Sequence, residues 1–519
     1  MLTSTILKWC LVSTFCLTLF LQPNVQAYTY KSSSYLFQRR SDFAGSSIDN
    51  VAVLAGGSVN SLYPATYSSV ADIYDFTTNQ ITSDQMALCE PRAYLASTSC
   101  SSKIFFAGGL TNGGSRSTVS SAVDIYDVQT KRWTSNRSQL SGSRAYMSAS
   151  CTNGYAVFAG GITLAGVFSL QTVSRVDMYH LPTNSWSSSS TALSQPRYLM
   201  ASGSTPTKLL FAGGSTKGSL LSFYSCTSVV DVFDTQTKTW SVDPTGLSTS
   251  RCSMASASVG HLVLFAGGVY SSPNSTIYST VVDLYNGETN SWTSYTNGLS
   301  QARSDLAGAV AGSYVIFAGG YSSGNKMVTY FRTMDFYNYK TERWSVKPYG
   351  LSTPRAYLVG VGANSLGSVS LFAGGLSYNS ERSSSIDIHV NGPIVQSTFS
   401  VVCSTVGNRT TSNQTEQSSF TFTAVQMDMN HIDTRCTQCT DWFCTISSEQ
   451  TLQQFMYSTY VCAKDGSIFV DATYKTRDGR TVEQSVAVQP QTERGMTTTT
   501  FELMNKDKCS FTTSIQTNV

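Results

Sequence analysis

Charged side chains are scarce, 13% of 519 residues where an ordinary soluble domain carries about 25%. The formal net charge is only +3, and neither the total nor any basic run fits a nucleic-acid binder. Histidine is scarcer still, with four in the chain. No His-Glu-x-x-His, Gly-x-Ser-x-Gly or Gly-x-x-x-x-Gly-Lys pattern occurs, so the usual zinc-protease, serine-hydrolase and phosphate-loop chemistries have no foothold. Outside a repeated Asp set described below, no pair of carboxylates suggests glycoside cleavage. An enzyme is therefore not expected, and neither a cofactor nor a metal is called for.

Long apolar runs are also missing except at the start, where Lys8 precedes Trp9 to Leu21 and Val25-Gln26-Ala27 offers small residues to a signal peptidase. Residues 1–27 read as a cleaved secretory signal, because the run falls short of the roughly 20 residues that span a bilayer. A retained anchor is the rival reading. The last residues, Thr512 to Val519, lack a lipid-anchor tail or an ER-retention tetrapeptide. The expected product is a secreted, extracellular protein with no membrane span after signal cleavage.

Serine and threonine fill the place of the missing charges. Sequons at Asn136, Asn274, Asn408 and Asn413 are glycosylation candidates in an exported chain. More telling is Ala-Gly-Gly, which begins at Ala55, Ala107, Ala159, Ala212, Ala266, Ala318 and Ala373, in steps of 52, 52, 53, 54, 52 and 55 residues. That period suits propeller blades better than helical solenoids.

Each copy repeats a fuller pattern. An Arg stands 15 residues before the Ala in six copies, at Arg40, Arg92, Arg144, Arg197, Arg251 and Arg303, and 18 before it at Arg355. A short apolar stretch such as Leu262-Val263-Leu264-Phe265 runs into the glycines, too short for a helix and suited to a strand buried on both faces. After them comes an Asp in a strand-like alternation, at Asp72, Asp124, Asp177, Asp231, Asp283, Asp335 and Asp387. Nine residues later stands Trp133, Trp186, Trp240, Trp292 or Trp344, with Ile81 in the first copy. Four short strands per repeat without helices make a unit that buries its faces only by stacking on its neighbours.

The Gly-Gly pair, the Asp-x-Tyr strand and the Trp strand together resemble kelch repeats over about residues 28 to 392, the propeller architecture shared with galactose oxidase. The resemblance implies an all-β protein, a seven-bladed kelch-type propeller with strands A to D running outward. The Arg would start A, Gly-Gly would end B, Asp-x-Tyr would lie on C and Trp would open D. The seventh copy has no Trp after Asp387. Residues 28 to 38 are therefore expected to close the ring as its outer strand, with Ile394 to Ser400 as the competing closure, since an open edge invites aggregation. The copper oxidases of the family need two His and two Tyr ligands, one Tyr crosslinked to Cys. Here His180, His261 and His389 lie in different repeats, and the copper-site residues are not matched.

From about residue 393 to 519 the repeat stops and Cys403, Cys436, Cys439, Cys444, Cys462 and Cys509 appear among strand-like stretches. This reads as a small Cys-rich β domain held by disulfides of unreadable connectivity, with a zinc site at Cys436, Cys439 and Cys444 near His431 as the alternative. Within the repeats, Cys89, Cys100, Cys151, Cys226 and Cys252 form an odd set. Straight-strand reach excludes a Cys89 to Cys100 bridge, and the kelch strand order would let Cys226 bridge Cys252.

The seven Arg and seven Asp are read as scaffold, the Arg hydrogen-bonding loop carbonyls of a neighbouring blade, although a ring of arginines at a channel mouth also suggests an anion site. Function is sought where copies differ, in loops between strands B and C that carry Tyr63, Tyr67, Phe223, Tyr224, Tyr270, Tyr330 and Phe331. Tyrosines among Ser, Gly and Asn suit a recognition surface; covering blade edges is their alternative role. The sequence thus points to an extracellular binding or adhesion module for a protein or glycan, or else a structural matrix or coat glycoprotein.

Overall fold

The computed structural model describes residues 28–391 apart from loop residues 61–64, 114–115, 165–169, 218–224, 273–274, 325–326 and 364–368, and several segments of 395–516 as backbone strands alone. The chain forms two compact units, Tyr28–Asn391 and a second one made mainly of Gly392–Val519.

The larger unit is all-β and propeller-like. After β1 (Tyr28–Tyr35), the first repeat builds an antiparallel sheet of β2 (Ala44–Ile48), β3 (Val51–Ala55), β4 (Ala71–Asp75) and β5 (Gln80–Asp84), hydrogen-bonded in that order. Five further repeats give sheets of the same order. The seventh sheet takes three strands from its own repeat and its outer strand from β1, which pairs antiparallel with Ser385–Val390. The innermost strands neighbour one another in sequence order, and Val359–Gly362 of the seventh sheet returns to β2.

Burial explains the sequence pattern strand by strand. The second strand, such as Lys103–Ala107, is buried at four of its five residues, because sheets cover both of its faces. The outer strand, such as Arg132–Asn136, is mostly exposed. There the Trp lies over the sheet, Trp133 5.1 Å from Tyr126 and 5.9 Å from Phe106 by ring centroid. The same stacking recurs at Trp186, Trp240 and Trp292.

The Arg and Asp of each repeat form a buried ion pair, a partnership the sequence reading did not draw. Arg40 meets Asp72 at 2.5 Å, Arg144 meets Asp177 at 2.6 Å, and the other five repeats have the same pair. All fourteen side chains are 3% exposed or less. In every repeat but that of Arg144 the guanidinium bonds carbonyls of its own repeat, Arg40 donating to Val70 O and Leu54 O at 2.9 Å. This corrects the expected service to a neighbouring blade. Nor does the Arg start the inner strand: Arg40 precedes β2 by four residues.

It is the Arg backbone that crosses between repeats. Its carbonyl accepts from the second glycine of the preceding repeat, Gly57 N to Arg92 O at 2.7 Å and so on round to Gly375 N to Arg40 O at 2.9 Å. The first glycine must be glycine, because its φ is positive and a Cβ on Gly56 would stand 2.6 Å from Arg92 O.

Two disulfides tie adjacent repeats, Cys100 to Cys151 and Cys226 to Cys252, with Cα separations of 5.7 and 5.5 Å. The first escaped the sequence reading, and Cys89 is the free thiol among the described residues. In the second unit two four-stranded antiparallel sheets occur, and Val395–Thr405 places Cys403 opposite Cys509 of Lys508–Gln516. Cys436, Cys439, Cys444, Cys462, His431 and residues 1–27, where a signal was expected, lie outside the described residues. The alternative closing segment, Ile394 to Ser400, contributes instead to that second unit's strand from Val395.

Arg92→Met strands Asp124 as an uncompensated buried charge, and a loss of about 3–5 kcal/mol is expected in urea unfolding. Replacing both partners, as Arg92→Met with Asp124→Leu, should recover most of it. Deleting residues 28–38 strips the outer strand from the seventh sheet. A lower melting temperature and concentration-dependent association in light scattering are expected.

Candidate functional site

Two residues after each repeat Arg stands one residue of changing identity: Asp42, Tyr94, Tyr146, Leu199, Ser253, Asp305 and Tyr357. All seven have φ between 51° and 57°, a left-handed conformation that side chains such as Tyr and Leu rarely adopt. Their backbones form one closed circuit. Each N–H donates to the carbonyl of the equivalent residue one repeat earlier, from Tyr94 N to Asp42 O (2.9 Å) round to Tyr357 N to Asp305 O (2.9 Å) and Asp42 N to Tyr357 O (3.3 Å). The circuit accounts for the strain, since a backbone that both gives and receives along the ring at this point must turn sharply.

The side chains of this circuit line a mouth of about 260 Å³. Beneath them the next residue in every repeat, Phe43, Leu95, Met200 or their equivalents, forms an apolar collar. Polar and apolar residues therefore alternate along each turn and separate into a rim and a floor.

Asp42 and Asp305 flank Tyr357 in the circuit, and Ser41 and Ser304 each donate a hydroxyl hydrogen bond to the neighbouring Asp Oδ2 at 2.7 Å. Burial drives the Asp42 carboxyl up to about 6, opposed by the Ser41 hydroxyl, the Arg382 charge and Tyr94. Burial likewise drives Asp305 up to about 7, with the Asp42 charge adding to the rise and the hydroxyls of Ser304 and Ser253 opposing it. The tertiary structure thus brings Asp42 and Asp305 to one mouth, a juxtaposition that the sequence reading did not draw.

Tyrosines surround the pair. Tyr94 stacks on Tyr146 at 4.5 Å, and Tyr357 lies 5.5 Å from Tyr321. Tyr321 in turn contacts Tyr330, which packs against Tyr378 at 5.3 Å. The Tyr357 and Tyr94 hydroxyls are pushed well above their ordinary value, first by burial and then by the nearby Asp305 and Asp42 charges respectively.

Of the B–C loop candidates, Tyr330 joins this cluster, and Tyr67 is buried but acts electrostatically on Tyr94 and Tyr146. Tyr270 and Phe331 are half-buried on the strands of their hairpins or beside them, while Tyr63, Phe223 and Tyr224 lie outside the described residues. The arginine ring offers no anion site, since all seven guanidiniums are buried and paired. Burial lowers His389 to about 3, leaving it neutral inside the fold. His180 stacks on Tyr155, and no group of three metal-ligating side chains forms among the described residues. A signal for the mouth was present in the sequence: Arg-Ser-Asp occurs twice and Arg-Ala-Tyr three times at the repeat Arg, so chemistry varies beside an invariant anchor.

No family model and no curated protein matches the sequence. Among solved structures the chain is similar to one titled "Structure of YjhT", at 17% identity and a TM-score of 0.45, covering 66% of this chain and 100% of that one.

A carboxyl raised in the folded state costs stability once it ionises there, so its penalty grows from the unfolded value near 4 up to about 7 for Asp305. Asp305→Asn should therefore raise the melting temperature most above pH 7, with the gain fading as the pH falls from about 7 to about 4. A pH series of thermal melts measures it.

Proposed function

We propose that this chain is a secreted kelch-type propeller of seven blades that works as an extracellular recognition module, taking a group of a protein or glycan into the mouth of its central ring. The observation that carries this reading is the circuit of seven strained residues. A scaffold that repeats Arg, Gly-Gly, Asp and Trp almost without change varies in polar character at a position whose side chains line a cavity. Strained backbone held by a rigid frame is characteristic of ligand clamps. The cavity is a little smaller than the roughly 300–1,000 Å³ of drug-sized pockets, so it suits one side chain or one sugar ring rather than an extended ligand.

The recurring sequence signature and the closed hydrogen-bond circuits support the kelch assignment and the blade number. Two disulfides favour an oxidising compartment. Asn136 is exposed on an outer strand, the position expected of a glycan acceptor, whereas Asn274, Asn408 and Asn413 fall outside the described residues. The Tyr330 hairpin would extend the contact surface around the rim.

A second reading is favoured by the carboxyl pair itself, whose raised values suit general acid and base chemistry in a carbohydrate-active enzyme. Release of nitrophenol from a panel of aryl glycosides, abolished in Asp305→Asn, would support it over recognition alone.

The test of recognition is a glycan and cell-surface-protein array probed with the mature chain and with Tyr94, Tyr146 and Tyr357 changed to Gly. Glycine accepts the left-handed backbone, so the variant is expected to stay folded while losing at least tenfold in affinity. Array binding that survives the triple change would remove the mouth as the site. Silence of both proteins across the array would favour a matrix or coat role.

A further inference from the structure

Charge in this fold follows a consistent rule: in all seven repeats the buried Asp meets an Arg of the same repeat. The mouth breaks it. Asp42 has the charge of Arg382 nearby, but that guanidinium is also committed to Ser58 Oγ at 3.0 Å. Asp305 is held by the hydroxyls of Ser304 and Ser253, and the charge acting on it is the like charge of Asp42. Two acids thus line one small cavity whose described lining holds no Lys or Arg, and Tyr94, Tyr146 and Tyr357, with Leu199 and Ser253, complete its rim.

We propose that the mouth receives an organic cation, an ammonium or guanidinium end group seated between the carboxyls of Asp42 and Asp305 and against the tyrosine faces. This deepens the recognition reading and rests on it. A cation relieves the repulsion between the two acids and gives Asp305 a positively charged partner beside its two serine hydroxyls, which a neutral sugar hydroxyl does not do. Aromatic rings present negative faces, and attraction to a cation strengthens as water is excluded. The cavity size limits the bound part to a compact head group, with the remainder of the ligand over the rim. The sign is opposite to that suggested by the arginine ring in the sequence, because burial removes those arginines from the surface.

Binding also has a proton signature. Seating a cation favours the ionised form of both carboxyls, so uptake near pH 6 releases protons to the buffer and weakens as the pH falls. The groups facing the pair are Ser41, Tyr94 and Arg382 around Asp42 and Ser253 and Ser304 around Asp305, with Tyr357 between them. None of these besides the two acids changes charge between pH 5 and 8 in ordinary circumstances.

The experiment is isothermal titration of the full secreted chain at pH 7.5 with two matched pairs taken to millimolar concentration. They are N-acetyl-lysine methylamide against N-acetyl-norleucine methylamide, and methyl glucosaminide against methyl glucoside. The expected result is saturable binding of a cation and not of its neutral partner, weakened at least tenfold by Asp305→Asn and at pH 5. Which cationic probe binds separates a protein side chain from an amino sugar as the source. Equal binding of both members of a pair, cation binding unchanged in Asp305→Asn, or no cation binding overturns the proposal. In the last case array binding lost in the Tyr94, Tyr146 and Tyr357 variant would still leave the mouth as a site for another ligand. The melting temperature of Asp305→Asn shows separately that the variant is folded.

Discussion

One buried arginine per repeat holds the larger unit together. Its guanidinium neutralises the Asp of its own sheet and in six of the seven repeats also bonds backbone carbonyls of that repeat, while its backbone carbonyl accepts the glycine N–H of the sheet before. A single residue therefore fixes both the interior of one sheet and its junction with the next. Because each ion pair is sealed from water, losing one member leaves a desolvated charge. Burial draws Arg40 and Arg144 down to about 10, still well above neutrality, so these two guanidiniums keep their charge at physiological pH.

That anchoring also creates the functional opportunity. With the Arg fixed at both ends, the residue two places later is carried into a left-handed turn and a closed backbone circuit whatever its side chain is. The fold determines its backbone and leaves its chemistry free. Variation among the seven repeats at that point changes the lining of the mouth while the sheets keep the same strand order. Asp42, Asp305 and the tyrosines around them exploit that freedom, and Leu199 and Ser253 show how tolerant the position is. Of the B–C hairpin residues, Tyr330 continues the tyrosine cluster that adjoins the ring.

The parts of this architecture that were legible in the sequence are those written once per repeat. Ala-Gly-Gly spacing, the apolar second strand, the Asp strand and the Trp strand each carry a local physical requirement, whether backbone conformation, two-sided burial or half-burial. Pairings between distant positions were not legible. Arg40 and Asp72 are 32 residues apart, and the nearly constant offset is visible, yet offset alone does not say which arginine meets which aspartate or that water is excluded. Cys100 and Cys151 are 51 residues apart, almost one period, because they occupy equivalent ends of adjacent inner strands; that correspondence became clear only from the sheets.

The sequence by itself determined an all-β repeat and the residues that build it, because strand burial and glycine conformation act over a few residues and recur. The tertiary structure alone decided that the arginines are buried and that the mouth is acidic. Asp42 and Asp305 lie 263 positions apart in the chain, and only closing the ring sets them on either side of Tyr357. Proximity of like charges, and the withdrawal of water that raises both carboxyls, are properties of that closure and have no counterpart in the linear chain.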